Sequence, residues 1–444
     1  MAANTAIANA IERLDYRVTV GDVAAQAGTD LDRARRGLLE LASEAGGHLQ
    51  VAESGEIAYT FPRNFRAIRR NQSLRLQLQA WWNQVWGVLF YLIRISFGIM
   101  LLLSILLMVL AIAAIAMGLR GGGDDEGGGD GPSMGGGLGF PTPLFLIGPD
   151  PFWIFAPDWE ERRHRQRERS TPGRGSSRMN FLEAVFSFLF GDGNPNADLE
   201  ARRWRTIAAV IRNNGGTAVA EQVAPYLDDI AAEDREDEDF MLPVLARFNG
   251  YPEVSEGGSI VYCFPDLQVT ATQRDRDPVP AYLKEQPWRF SEAGRGQLVG
   301  AIGLGGLNLV LALMLGSLLQ GPNAAAIAQA GGFLAFIQSI YGLLLAYAIS
   351  FLAVPLGRYY WIRWRNRSIE ANNQMRAQRA QALNRPDAAL RQKLTYARQF
   401  ADRQVLAEQE AIYTSDRDLA EQESERADRI DEEWRRRLGS DWDA

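Results

Sequence analysis

Enzymes of this size usually rest their chemistry on histidine, cysteine, lysine or paired carboxylates, and here the first three are scarce. The 444 residues contain two histidines, His48 and His164, one cysteine, Cys263, and two lysines, Lys284 and Lys393. A phosphate-cradling Walker loop needs Gly-Lys-Ser/Thr, and neither lysine has that context. A zinc site needs several His and Cys ligands, and these three lie far apart in the chain. One cysteine also rules out an intrachain disulfide or thiolate cluster, so Cys263 reads as a small strand residue. There is no Ser nucleophile elbow, no HExxH and no redox CxxC, and no carboxylate pair stands out from the solvated acids. The residue types therefore predict a non-enzyme with no catalytic, cofactor-binding or metal-binding residues and no cofactor.

What remains is binding chemistry, carried by charge. Arg33, Arg35 and Arg36 sit early in a helix, where a nucleic-acid reader would place base or phosphate contacts. Residues 1–62 nevertheless hold five arginines against nine acids. Phosphate contacts supply most of the affinity of a DNA reader, so this balance argues against nucleic acid and for a protein partner. A second candidate is the acidic run DDIAAEDREDED at residues 228–239. It reads first as a solvated loop, and as a docking surface for a basic partner or divalent ion through Asp234, Glu236, Asp237, Glu238 and Asp239. Two arginine groups mark membrane flanks: Arg63, Arg66, Arg69, Arg70 and Arg75, and then Arg358, Arg363, Arg365 and Arg367.

The elements that must carry these residues are organised by a repeat. HLQVAESGEIAYTFP at residues 48–62 aligns without a gap on YPEVSEGGSIVYCFP at residues 251–265, with seven of fifteen positions identical. Ile, Tyr and Phe alternate with smaller residues after a glycine, which predicts a hairpin with one buried face. Each copy follows helical segments. In the first these are Ala6–Leu14, Val20–Ala27 and Asp30–Glu44, with Thr19-x-x-Asp22 and Thr29-x-x-Asp32 as capping-box-like starts. The second has Trp204–Arg212, Ala218–Leu227 and Phe240–Phe248. Helices followed by a hairpin predict two α+β winged-helix-like modules, with Tyr59 and Tyr262, and Phe61 and Phe264, buried in equivalent positions.

Each module precedes apolar sequence. Val85–Leu119 is apolar except for Arg94, follows Trp81, Trp82 and Trp86, and exceeds the ~20 residues that span a bilayer. A mid-bilayer arginine costs about 2.5–3.5 kcal/mol, which places Arg94 near the interface, snorkelling. Leu298–Leu319 and Phe333–Leu356 read as a transmembrane hairpin. Small residues four apart, such as Ala301/Gly305 and Ala312/Gly316, suit close helix packing within the chain or between copies. Residues 121–139 are a Gly-rich linker whose acids lack calcium-ligand spacing. Leu390, Leu394, Ala397, Ala401, Val405 and Ile412 form a thin seam, suited to a helical hairpin or coiled coil in the charged tail.

The expected architecture is thus a mainly α membrane protein. Module 1 spans 1–62, a basic and aromatic flank with the first membrane segment 63–119, and a Gly-, Pro- and Arg-rich linker 120–180. A short apolar helix with module 2 spans 181–270, a transmembrane hairpin 298–356, and a charged helical tail 358–444. About three transmembrane helices result. The first 17 residues lack the basic start and apolar core of a secretory signal, so module 1 is expected on the side of synthesis. Arginine bias places module 2 and the tail there too. One crossing by residues 96–118 would then strand module 2 on the wrong side. A hairpin, an in-plane helix or a yielding charge bias would each resolve that conflict.

The stretches GNPNADLEARRW, AEQVAPYLD, FMLPVLARFNGYPEV, GGSIVYCFPDLQ and MNFLEAVFSFLFGDG resemble a family of cyanobacterial and plastid membrane proteins. That family is catalogued as "iron-sulfur cluster biosynthesis family". The resemblance is densest over residues 179–290. It implies a plasma, thylakoid or envelope membrane protein of a photosynthetic lineage and a link to iron-sulfur assembly; it supplies no catalytic or cluster-binding residues. The sequence as a whole predicts a membrane adaptor contacting lipid and protein partners, with self-assembly as one form of contact. A membrane-tethered DNA-binding regulator is the alternative, and an assembly factor for cofactor or photosynthetic complexes a third reading.

Overall fold

The first module forms where the sequence places its caps. α1 (Ala2–Arg13) leads through a turn into β1 (Arg17–Thr19). Thr19 caps α2 (Val20–Ala27): its hydroxyl accepts from the Asp22 amide at 3.0 Å, and the Asp22 carboxylate accepts from the Thr19 amide at 3.1 Å. Gly28, at φ 67°, ends α2 in the left-handed conformation that glycine adopts without strain. α3 (Leu31–Ala45) is capped by Asp30 rather than by Thr29, the Asp30 carboxylate accepting from the Arg33 amide at 2.8 Å. β2 (His48–Ala52) and β3 (Ile57–Thr60) then pair as a hairpin, and β3 lies between β1 and β2. Ile7, Ile11, Val23, Leu38 and Leu41 close over Tyr59, Phe61 and Phe65 as one apolar core.

This is a computed structural model describing residues 2–65, 74–120, 180–228, 230, 238–273, 276–320, 332–406 and 411–440. It is mostly helical and divides into two compact units: residues 1–80, 195–287 and 367–444, and residues 81–194 and 288–366. After the first module come α4 (Leu74–Arg120) and α5 (Phe181–Phe190), then the second module. Its order repeats the first: α6 (Leu199–Asn213), β4 (Thr217–Ala218), α7 (Ala220–Val223), α8 (Leu242–Phe248), β5 (Tyr251–Val254) and β6 (Ile260–Cys263). The central strand is again the last, in the order β4-β6-β5. Tyr59 pairs with Leu49 and Val18, and Tyr262 pairs with Pro252 and Ala218. Both tyrosines are buried, as are Phe61 and Phe264. The glycines at the two turns, Gly55 and Gly258, share a positive φ of 81° and 78°. α7 is far shorter than the expected Ala218–Leu227. Pro225 has no amide to donate, and the chain tightens there into a 3-10 turn, Ala224–Tyr226.

The remainder of the first unit departs from a purely helical tail. α9 (Pro265–Gln268) and β7 (Val269–Thr270) follow the second hairpin; α10 (Arg295–Gln320) and α11 (Gly332–Asn384) come next. Beyond α12 (Ala388–Ala397) the chain forms β8 (Gln404–Val405) and β9 (Ala411–Thr414) before α13 (Leu419–Ser440). β8 pairs in parallel with β7, and β9 pairs antiparallel with β2. The seam expected to form a helical hairpin or coiled coil is spent on the second module instead. Ala397, Leu390 and Leu394 pack against Val219 and Val261, while Val405 and Ile412 sit in strands.

Among the described residues, three helices are long and apolar enough to cross a membrane, and their apolar parts form the second unit: Gln84–Met117 within α4, α10, and α11. Met108, Ala111 and Ile115 pack with Leu311, Leu315, Ile337 and Leu344 in one half of this bundle. The other half also receives α5: Phe181, Val185 and Phe188 pack with Leu101, Ala301 and Phe351. At ten residues and about 15 Å, α5 is half the length of a hydrocarbon core. It runs antiparallel to α4 and α10, beginning beside Gly98 and Gly300 and ending beside Arg94 and Phe290. The small residues read from sequence are used within the chain. Gly305 faces Phe351, Gly316 faces Tyr341, and a side chain at either would collide.

Candidate functional site: a buried junction of the two modules and an exposed arginine face

Asp22 is the residue on which the first unit turns. It is fully buried, and its carboxylate accepts from the Thr19 and Ala271 amides and from the Arg212 guanidinium at 2.7 Å. Arg212 lies on α6 of the second module, so the helix cap of one module is also the ion-pair partner of the other. Neighbouring backbone closes in tightly. A Cβ at Gly21 would lie 1.8 Å from the Asp266 carbonyl oxygen, so only glycine permits this approach. Arg17 adds a third tie, donating to the carbonyls of Ala271 and Leu406 and to Gln50. Arg247 donates to the Gly28 carbonyl at 2.7 Å and stacks 4.3 Å over Trp204. Burial lowers the Arg247 pKa from its ordinary value, and the Asp30 and Glu200 carboxylates oppose that shift.

Beside this junction lies a shallow cleft of about 180 Å³, lined by Gln26, Arg205, Thr206, Arg212 and Asp277 among others. Its charges are mixed, which gives it no clear preference for an anion or a cation. Cys263 is buried in β6; burial, and then the Glu253 charge, push its thiol up to about 11. A thiol held neutral is neither a nucleophile nor a metal ligand at ordinary pH. Among the described residues, no three His, Cys, Asp or Glu side chains are grouped as metal ligands.

The residues singled out from sequence fall in different places. Arg33, Arg35 and Arg36 are together on the exposed face of α3, with Leu39 also exposed. Arg33 pairs with Asp30 at 3.2 Å, and Arg36 donates to the Asp32 carbonyl at 3.3 Å. In the second module α8 presents no such face, since its Arg247 is turned onto Trp204. Asp234, Glu236 and Asp237 lie outside the described residues. Asp239 is exposed, but Glu238 is committed inward, accepting from Tyr262 and from Lys393. Arg66, Arg69 and Arg70 also lie outside the described residues, as does the linker at 121–179; Arg63 is exposed, and nothing is assigned to the Arg75 side chain. Arg363, Arg365 and Arg367 are exposed. Arg358 instead donates to the Ser187 and Phe290 carbonyls.

Arg94 is not a lone snorkelling charge. It pairs with Asp192 at 2.9 Å, and Asp192 also accepts from the Ser187 hydroxyl and the Glu292 amide. Sequence reasoning found Asp22 only as a local cap and missed Arg212 and Asp192 altogether. Their partners lie 190 and 98 residues away, and no local pattern encodes that separation.

The chain is 37% identical over 443 residues to the uncharacterized chloroplastic protein At5g03900 of Arabidopsis thaliana. The alignment takes in 97% of this chain and 81% of the plant protein. This chain belongs to the At5g03900 family. No family model and no solved structure matches it. The At5g03900 alignment covers both modules, all three apolar helices and the tail, so the junction is compared as part of a whole architecture rather than as an isolated domain.

Proposed function

We propose that this protein is a non-enzymatic membrane-anchored adaptor or assembly factor that holds soluble partners against a membrane. The observation that carries the reading is the junction itself. Two modules of the same topology are joined through Asp22 and Arg212 into one unit, while the arginines of α3 stay exposed. Their shared element order, helix, strand, two helices and a hairpin, supports the reading of both as winged-helix-like modules serving protein contact. Three apolar helices supply the anchor. A chloroplastic relative is compatible with a plastid, or by the sequence resemblance a cyanobacterial, membrane as the site of action. The same resemblance directs the search for partners to iron-sulfur or photosynthetic complex biogenesis.

The α3 face mixes Arg33, Arg35 and Arg36 with Asp32, Glu40 and Leu39. An amphipathic mixture with paired charges suits a protein surface of alternating charge better than a phosphate backbone. The test is purification of the tagged full-length chain from native membranes, beside a variant carrying Arg33→Glu, Arg35→Glu and Arg36→Glu. A set of proteins lost only from the variant supports the adaptor. The same chain titrated with random duplex at several salt concentrations tests the DNA-binding alternative. A steep salt dependence abolished by the triple variant would replace the adaptor reading with that one.

A further inference from the structure

Two opposite charges line the cleft beside the junction without pairing with each other. Arg205, half-buried on α6, forms no ion pair among the described residues. Its Nε donates to the Ala201 carbonyl at 3.1 Å, which anchors one nitrogen of the guanidinium and leaves the other two open. Gly28 makes room for that bend: a Cβ there would lie 2.6 Å from the Ala201 oxygen and 3.2 Å from the Arg205 Cγ. Further along α6, Asn213 grips the Asp277 backbone, donating to its carbonyl at 2.8 Å and accepting from its amide at 3.1 Å. The Asp277 carboxylate itself is exposed and has no ion-pair partner among the described residues. Arg205 and Asn213 stand eight residues apart, about 12 Å along the helix. Arg212, which also lines the cleft, adds no net charge because Asp22 matches it.

We propose that this cleft binds a small zwitterion, with a carboxylate held by Arg205, an ammonium group held by Asp277 and a short apolar stem against Ala25, Ala209 and Val279. The proposal stands independently of the adaptor reading. A simple anion on Arg205 would meet the Asp277 charge, and a simple cation on Asp277 would meet Arg205, so each is opposed from the far end. A molecule that carries both charges satisfies both ends. At about 180 Å³ the space equals roughly six waters at ~30 Å³ each. That admits a small amino acid and falls short of the ~300 Å³ at which pockets for drug-sized ligands begin. Ala25 and Gln26 come from α2 of the first module, and the two arginines from α6 of the second. An occupant therefore ties the same two helices that Asp22 and Arg212 join, and stabilises the unit by mass action.

The experiment is calorimetric titration of the detergent-solubilised full chain with glycine, β-alanine and γ-aminobutyrate, beside butyrate and butylamine. The last two keep the stem of γ-aminobutyrate and one charge each. The expected result is that one of the zwitterions binds about tenfold more tightly than either single-charge probe and raises the thermal midpoint of the chain. Arg205→Gln should erase the advantage over butylamine, and Asp277→Asn the advantage over butyrate. Asp277→Asn alters an exposed side chain and leaves the backbone bonds to Asn213 in place, so it tests the site even if Arg205→Gln fails to fold. Binding of butyrate or butylamine as tight as that of the zwitterions reduces the cleft to a simple ion site and overturns the proposal. Binding that neither substitution weakens places the ligand elsewhere, and no heat from any of the five probes leaves the cleft without a ligand of this class; both also overturn it.

Discussion

At the residue scale, the stability of the first unit depends on charges that have left water. The Asp22 carboxylate accepts from two amides and one guanidinium, while its own amide donates to the Thr19 hydroxyl. Removing one partner of a buried pair leaves the other uncompensated, at a cost of about 3–5 kcal/mol. Arg212→Met should therefore lower the thermal midpoint of the solubilised full chain sharply. Combining it with Asp22→Asn, which keeps the shape and removes the charge, should cost less than the two single changes added together. Additive losses would show that the pair is not coupled. A second residue-level expectation concerns Cys263. Its folded pKa of about 11 lies above its ordinary value, so the folded state holds the thiol proton more tightly. That contribution is complete below about pH 9 and fades as pH rises towards 11. Tyr226, raised to about 12 by burial with its hydroxyl donating to the Pro280 carbonyl, acts in the same direction at higher pH. Melting scans from pH 7 to 11 should show a falling midpoint above pH 9, and iodoacetamide at pH 8 should leave Cys263 unmodified until the chain unfolds. Tyr59, Tyr262, Phe61 and Phe264 were legible in the sequence because period-two alternation encodes a buried strand face. Arg212 was not, because a basic residue in the last turn of α6 looks the same whether it caps a helix or crosses to another module.

At the element scale, the tail shows what a polar sequence conceals. Ala411–Thr414 is only four residues long and flanked by charge, so its alternation is too short to outweigh the helical bias around it. What makes it a strand is the free edge of β2, which offers unpaired backbone groups to any extended segment within reach. Prolines at both Ile412 and Tyr413 remove whichever of the two amides faces β2. Hydrogen exchange of the Leu49–Ala52 amides should then accelerate while the β5–β6 hairpin keeps its protection; unchanged exchange would mean that β9 contributes nothing to the sheet. The membrane helices offer a sharper contrast. Gly305 lies against Phe351, whereas Gly303, half a turn away, meets nothing within 4 Å. Gly305→Leu should overpack the bundle by about 1–3 kcal/mol and reduce the yield of folded chain in detergent, and Gly303→Leu should be tolerated. Equal effects would refute the packing. Spacing alone announced that small residues here approach something. It left open whether that was another helix of the chain or another copy, since both use the same periodicity.

At the scale of the whole molecule, the question that sequence could not close was how the second module returns to the side of the first. α5 and the junction of the modules bear on it. An apolar helix of ten residues was too short to be read as a span; it begins beside Gly98 and Gly300, within about two turns of the bundle's end, and ends at the level of Arg94 and Phe290. α4 leaves that level towards the opposite end, and α5, running antiparallel to it, returns to the same level at Asp192. α10 and α11 then go out and back, with Arg358 beside the Ser187 and Phe290 carbonyls at the same level as Asp192. The Asp22–Arg212 pair joins both modules within one unit, so both are expected in one compartment, the one that arginine bias assigns them. Tags at the N-terminus, after residue 270 and at the C-terminus should all be cleaved by protease added from the cytoplasmic face. A tag in the connection between Gln320 and Gly332 should be cleaved only from the other face. If the tag after residue 270 were protected while the N-terminal one was cleaved, α5 would not complete a crossing, and the two modules would not share the compartment that the Asp22–Arg212 pair requires.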